Sequence, residues 1–283
     1  MMYTLSGEQI ASFQRDKYLV VDDILTPDQV RRLVEEVDAC AKWAGHSDKE
    51  KKYFLHRECS LLMDGDDDQS GRCGGQTKAL VMNRIENVTS ATPDGMIAAL
   101  ALPISSGDMK KALIASTVAQ LMDEEMVLLK DKINFKASGG GGFTAHIDEP
   151  AYFGLSSKFC TAMIAVDDAT MENGCLEVAA GVEMSFDGNE SRTDTILTPE
   201  EEKELTWLPL PAKRGSVVFF TGRIPHRSAA NMSMKQRRAI FLTFNRAADG
   251  DQRNEYFDKK WNSITPHALV GTDFAGKLLP LGE

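Results

Sequence analysis

The sequence predicts a mainly β fold with flanking helices, a double-stranded β-helix (jelly roll, cupin-like), and three observations lead there. From residue 126 onward, short runs rich in β-branched and aromatic residues (KINFK, TAMIAVDD, CLEVAA, SVVFFT, RAIFLTFN) are separated by turn residues. Those breaks include GGGG at 139–142, ENG at 172–174 and KRG at 213–215, each suited to a tight reversal. Helical periodicity gathers ahead of residue 126.

The elements follow in order. Thr4 to Asp16 reads as a short helix and Tyr18 to Val21 as a β-branched strand. Thr26 to Ala44 opens with an N-capping Thr and a first-turn Pro, then places Val30, Leu33, Val34, Val37 and Cys40 at helical spacing. Asp64 to Gly75 (DGDDDQSGRCGG) is acidic and then glycine-rich, with too little apolar surface for a regular element, and reads as a mobile surface loop. From Asp94 the chain is helical at first (MIAALALPI, MKKALIASTVAQLMD) and turns β-like at MVLLKDKINF. No linker or repeat divides the 283 residues, so we expect one domain over 1–283. Within it, 1–125 form a helical α/β entry, 126–250 the jelly-roll core and 251–283 a C-terminal extension.

Composition narrows the function. A net charge of -10 argues against nucleic-acid or anionic-membrane partners, which are held by clustered Lys and Arg. The N-terminal run lacks a signal-peptide core and no stretch approaches 18 apolar residues, so a cytoplasmic protein is expected. Five scattered cysteines without a CxxC pair read as reduced thiols, neither a disulfide framework nor a thiolate zinc site. Oligomeric state has no signature in the sequence.

One constellation carries chemistry. In GGFTAHIDEPAY, His146 and Asp148 are two residues apart, on the same face if the strand is extended. An HxD triplet alone is a weak signal, and a lone His226 is more often a hydrogen-bonded structural histidine. The joint order HxD, turn, GxxVFF, His226, Ser228, Arg237 is far rarer. Two imidazoles and a carboxylate on one face of octahedral Fe(II) leave positions for a bidentate 2-oxo acid and for O2, whereas zinc sites are usually more closed or more thiolate-rich. Arg237, eleven residues after His226, supplies a fork for the distal carboxylate of 2-oxoglutarate, and Ser228 a hydroxyl for the same group.

Residues 126–250 resemble the phytanoyl-CoA dioxygenase family of iron and 2-oxoglutarate oxygenases. The resemblance is carried by KINFKASGGGGFTAHIDEPAY, DDATMENGCLEVAAG, RGSVVFFTGRIPHRSAANMS and RRAIFLTFN, and the start FQRDKYLVVDDILTPDQV also looks like that family. It implies His146, Asp148 and His226 as iron ligands and Arg237 as the co-substrate residue. The chain departs from the family at Ala180-Gly181-Val182-Glu183, where a Pro-Gly-Ser-His turn is common, and at Lys17, where a glycine is common. The spelling also resembles the branch that hydroxylates 2-aminoethylphosphonate and its trimethylammonium analogue. That implies a small polar substrate, and Asp148 implies hydroxylation rather than halogenation.

Alternation adds Lys132 and Asn134 as co-substrate candidates and Lys136 as a substrate candidate, all on one strand face that would otherwise be solvated. Arg84 in VMNRIENV is a further co-substrate candidate. Tyr152 and Phe153 read as an aromatic wall for substrate or equally as core. GGGG lacks the Lys-Ser/Thr of a phosphate-binding loop, and Cys175 reads as a buried strand residue. The alternatives are a hydroxylase of an acyl or secondary-metabolite substrate, a non-enzymatic metal-binding cupin-like sensor, and a zinc hydrolase using the same three side chains.

Overall fold

The computed structural model describes residues 3–42, 54–61, 78–102, 112–152, 154–184, 195–263, 270–272 and 278–280. The loop expected at Asp64 to Gly75 and the aromatic Phe153 lie outside them.

Local chemistry sets the first elements. Ser6 caps α1 (Gly7–Asp16) by accepting from the Gln9 amide at 3.1 Å, while the Gln9 side chain accepts from the Ser6 amide at 2.9 Å. The helix therefore starts later than Thr4. It ends at Lys17, held at φ 65°, a left-handed conformation in which glycine is the least strained residue. β1 (Tyr18–Val21) follows, then α2 (Pro27–Ala41), with the same box built by Thr26 and Gln29 and with Leu33, Val37 and Cys40 buried along one face.

β2 (Phe54–Leu61) and β3 (Lys78–Glu86) come next, then the short helices α3 (Val88–Ala91) and α4 (Met96–Ala101) and the longer α5 (Leu113–Met122). The remaining elements are β4 (Met126–Lys136), β5 (Phe143–His146), β6 (Phe159–Ala165), β7 (Leu176–Val178), α6 (Pro199–Lys203), β8 (Leu208–Leu210), β9 (Val217–Thr221), β10 (His226–Ser228), β11 (Arg237–Arg246), α7 (Arg253–Ser263), β12 (Val270–Thr272) and β13 (Leu278–Pro280).

Two sheets face each other. The larger has the order β1-β9-β6-β11-β4-β3-β2 and the smaller β5-β10-β7-β8, with all pairings antiparallel. This is the expected jelly-roll core. Three strands of the larger sheet come from the first 125 residues, which the sequence reading gave mostly to helices. β2 and β3 (FLHRECSL, KALVMNRIE) lack clean alternation, and their strand character follows from pairing, β3 onto β4 and β2 onto β3, contacts that local pattern does not register.

The outer face of the large sheet carries Leu128, Ile133, Phe135, Ile164, Ile240, Leu242 and Phe244, packed against Leu33, Val37, Ile97 and Ile114 of the helices. Each such side chain contributes about 1.5–3 kcal/mol when fully buried. The inner face is more polar. A bulge opposite Thr243 and Phe244 shifts the alternation of β4, so that Lys130, Lys132, Asn134 and Lys136 face inward while Asp131 turns out. Asp131 there accepts from the Val88 and Thr89 amides, the Thr89 hydroxyl and Arg253, which ties α3 and α7 to the sheet.

Candidate metal centre

β5 and β10 pair so that His146 stands directly opposite His226, with ring centroids 4.1 Å apart. Asp148 lies past the end of β5, in the bend before Glu149–Tyr152, and not on the extended strand that the HxD spacing implied. Its position is set by the backbone, since the Asp148 and Glu149 amides both donate to the Gly222 carbonyl, at 3.1 and 3.0 Å. Arg223 reinforces this by donating from Nε and Nη2 to the two Glu149 oxygens at 2.7 Å each. The segment holding Asp148 is thus clamped to the turn that leads into His226.

His146 Nε2 is 3.9 Å from Asp148 Oδ1, and His226 Nε2 is 4.0 Å from Asp148 Oδ2. The Nδ1 atoms lie 2.7 Å from the Thr144 carbonyl and 3.1 Å from the Ile224 carbonyl. A carbonyl can only accept, so each Nδ1 carries the proton and each Nε2 offers a lone pair. Burial pushes the His146 imidazole down to about 3, with the His226 ring adding to the effect, and burial lowers His226 as well. Both rings are neutral at physiological pH. Burial works the other way on Asp148, but His226, Lys130, Lys132 and His146 outweigh it and hold the carboxyl below the usual range. Three acceptor atoms, all within 4.8 Å of one another, repel unless a cation stands among them. Two neutral imidazoles and one carboxylate fit Fe(II) in an open-sided site.

A cavity of about 60 Å³ opens beside the histidines, several times the roughly 10–15 Å³ that one water needs. Arg84, Lys132, Asn134, Ser228 and Arg237 of the sequence candidates line it, together with Phe143, Met163, Leu176, Arg227 and Phe241. Arg237 opens β11 rather than the strand next after β9, because His226 to Ser228 form a short strand of their own. Its guanidinium is buried, which moves it down to about 10, and its one hydrogen bond among the described residues runs from Nε to the Asn173 carbonyl at 3.3 Å. Asn134 accepts from Arg84 Nε at 3.3 Å.

Lys136, read as a substrate residue, is buried and committed elsewhere, donating to Ser228 Oγ at 2.8 Å, the Ala229 carbonyl at 2.5 Å and the Gly174 carbonyl at 3.3 Å. An ammonium only donates, so Ser228 accepts from it and keeps its own O–H to give. Close approach here requires glycine. A Cβ on Gly174, at φ +70°, would overlap the Ala229 carbonyl, and one on Gly142 would overlap that of Ser228.

Tyr152 takes the second of its two expected places. It is wholly buried in a cluster with Leu129, Leu155 and Phe159 because the turn after Asp148 folds inward. Its ring nonetheless carries the Lys130 ammonium at 4.6 Å. Lys130, Glu149 and Arg223 were not anticipated from the sequence. Extending the Lys132, Asn134, Lys136 alternation by one step would have reached Lys130, whereas no local signal marks the Glu149–Arg223 clamp. Among the described residues Cys40, Cys160 and Cys175 are free and buried, and no helix is long and apolar enough to cross a membrane.

A jelly roll with this facial set of two histidines and an aspartate defines a non-haem iron(II), 2-oxoglutarate-dependent oxygenase. The chain belongs to the phytanoyl-CoA dioxygenase (PhyH) family, whose model matches residues 13–239. It is 39% identical to a 2-aminoethylphosphonate dioxygenase of an uncultured bacterium over 58% of this chain and 63% of that protein, so less than two thirds of that relative is covered. It is 29% identical to a methylphosphonate hydroxylase of Gimesia maris over 96% of this chain and 92% of that one. Among solved structures it shares its fold with EctD from S. alaskensis, crystallised with bound Fe, at a TM-score of 0.64 and 19% identity, over 87% of this chain and 78% of that one.

Proposed function

We propose that this protein hydroxylates a C–H bond of a small phosphonate, an aminophosphonate first among them, with 2-oxoglutarate as co-substrate and succinate and CO2 as co-products. The observation that carries the proposal is a cavity beside the His146, Asp148 and His226 set whose charged lining is cationic, through Arg84, Lys132, Arg227 and Arg237. Two named relatives supply the phosphonate, since one is a 2-aminoethylphosphonate dioxygenase and the other a methylphosphonate hydroxylase.

In this reading His146, Asp148 and His226 hold the iron, which when bound with 2-oxoglutarate supplies the activation of O2. The remaining residues bind, orient and exclude water. Arg237 presents its free Nη pair to the distal carboxylate of the co-substrate, and the planar fork matches a planar carboxylate. Ser228 donates its hydroxyl to the same group, because Lys136 already fills its acceptor side. Arg84 holds the Asn134 amide in place from Nε. The Arg223–Glu149 pair fixes the backbone next to Asp148, so the carboxylate meets the two imidazoles without having to be ordered at each turnover. Phe143, Met163 and Phe241 shield the cavity from water.

The test is turnover of a panel containing 2-aminoethylphosphonate, its trimethylammonium analogue, methylphosphonate and the carboxylate counterpart 3-aminopropanoate. Succinate and hydroxylated product are quantified together. Product equal to succinate with a phosphonate, and none with the carboxylate, is the expected result. Succinate uncoupled from product across the panel removes the substrate assignment.

A further inference from the structure

We infer that Lys130 and Lys132, with the hydroxyl of Tyr152, form the subsite that takes the substrate's phosphonate group, an assignment that rests on the function proposed above. The two lysines lie two residues apart on the inner face of β4, opposite Thr243 and Phe241 of β11. Each ammonium sits on aromatic rings, that of Lys130 4.6 Å from the Tyr152 centroid and 5.6 Å from Tyr256, that of Lys132 4.7 Å from Phe241. Neither has a carboxylate or carbonyl acceptor among the described residues. Tyr152 is wholly buried, and its hydroxyl lies near the Thr243 side chain without a well-formed hydrogen bond among the described residues.

Lys132 lines the catalytic cavity and Lys130 stands two residues away on the same strand face, and two ammonium groups without acceptors are costly to keep unless something fills their needs. A buried cation that lacks a partner loses hydration without recovering it. The protein offers no such partner here. Glu86, the nearby buried carboxylate, is committed to Arg84 and Lys260. Asp148 draws on both lysines through space but belongs to the metal set. An anionic ligand is the remaining source of compensation. Burial, followed by the charges of Arg84 and Lys130, moves Lys132 down to about 7, a shift that a bound dianion would reverse.

Shape as well as sign separates the two ends of β4. Arg237, paired in register with Lys136, carries a planar fork suited to a planar carboxylate. Lys130 and Lys132 are compact point charges on flexible stems with rotatable donors, suited to the three oxygens of a tetrahedral group. Side chains two apart on a strand have origins about 6.6 Å apart, close enough for both stems to converge on one such group. The faces of the rings leave the ammonium protons free to point at the ligand.

The iron-loaded enzyme is compared with Lys130→Met, Lys132→Met, Lys130→Arg and Tyr152→Phe, measuring kcat and KM for 2-aminoethylphosphonate and separately KM for 2-oxoglutarate. Each Lys→Met variant is expected to raise the phosphonate KM at least tenfold, corresponding to about 1.4 kcal/mol, while KM for 2-oxoglutarate stays within twofold. Tyr152→Phe gives a smaller rise, and Lys130→Arg recovers part of the loss. Methionine keeps the apolar stem and removes only the charge, and melting temperature verifies folding. Wild-type phosphonate KM in both Lys→Met variants overturns the subsite while leaving phosphonate turnover standing. A rise in the 2-oxoglutarate KM alone overturns it by assigning the lysines to the co-substrate. A wild-type enzyme that turns over no phosphonate overturns both this inference and the proposed function.

Discussion

Substitution of Arg237 probes the co-substrate end of the cavity with a magnitude that the structure sets. Its guanidinium is buried, lies near 10 because of burial, and among the described residues spends only Nε, at 3.3 Å from the Asn173 carbonyl. Two Nη groups remain for a carboxylate. A hydrogen bond to a charged group contributes about 1.5–3 kcal/mol. Arg237→Lys keeps the charge but loses the fork, so KM for 2-oxoglutarate should rise roughly 10- to 100-fold at 1.4 kcal/mol per decade. Arg237→Met removes charge and fork together, costs about 3–5 kcal/mol of binding, and should raise KM more than 100-fold. The distal carboxylate is unchanged by the reaction, so the lost binding is uniform and kcat at saturating co-substrate should change little. Succinate formation against 2-oxoglutarate concentration measures both constants. A KM within threefold of wild type in both variants refutes the assignment.

Three further outcomes bear on stability. The folded-state value of Lys132, about 7, lies below the 10.5 of an exposed lysine, so the unfolded chain holds that proton more tightly. Stability is therefore lost as pH falls from about 10.5 and the penalty is complete below about 7, so Lys132→Met should raise the melting temperature of the apoprotein at pH 6 and not at pH 10.5. An equal gain at both pH values contradicts this. Asp131→Ala leaves Arg253 and the Val88 and Thr89 amides without their acceptor in a buried site and should cost about 3–5 kcal/mol, read as a shift in urea midpoint at constant slope. Gly174→Ala forces a side chain into φ +70° and onto the Ala229 carbonyl, so a loss of at least about 2 kcal/mol is expected in the same urea assay, and a change under 0.5 kcal/mol would show that the turn relaxes freely.

The parts of the molecule legible in the sequence are those governed by local rules. Thr26 with Pro27 and Gln29 announces α2, and the runs FCTAMIA, VVFFT and RRAIFLTFNR announce β6, β9 and β11, because capping and β-branched content act within a few residues. His146, Asp148, His226, Ser228 and Arg237 stand out because the order of chemically distinct residues along strands survives in the sequence. What escapes is pairwise and distant. β3 is a strand because β4 offers an edge, β2 because β3 does, and Lys136 braces Ser228 across 92 positions in the chain. The sequence leaves Tyr152 as wall or core, and the turn after Asp148 decides it by folding the ring in beside Phe159, at 4.9 Å between rings. The bulge that breaks the alternation of β4 between Leu128 and Lys130 depends on register with β11, which the pattern of one strand does not contain.

The central claim is that two imidazoles and one carboxylate, brought together by the β5–β10 pairing and the bend after it, hold a single ferrous ion. Anaerobic titration of the apoprotein with Fe(II), followed calorimetrically for the wild type and for His146→Ala, Asp148→Ala and His226→Ala, tests it directly. One iron per chain in the wild type, with affinity lowered at least about 100-fold in each variant, is the predicted result. Wild-type iron affinity in any of the three contradicts the account.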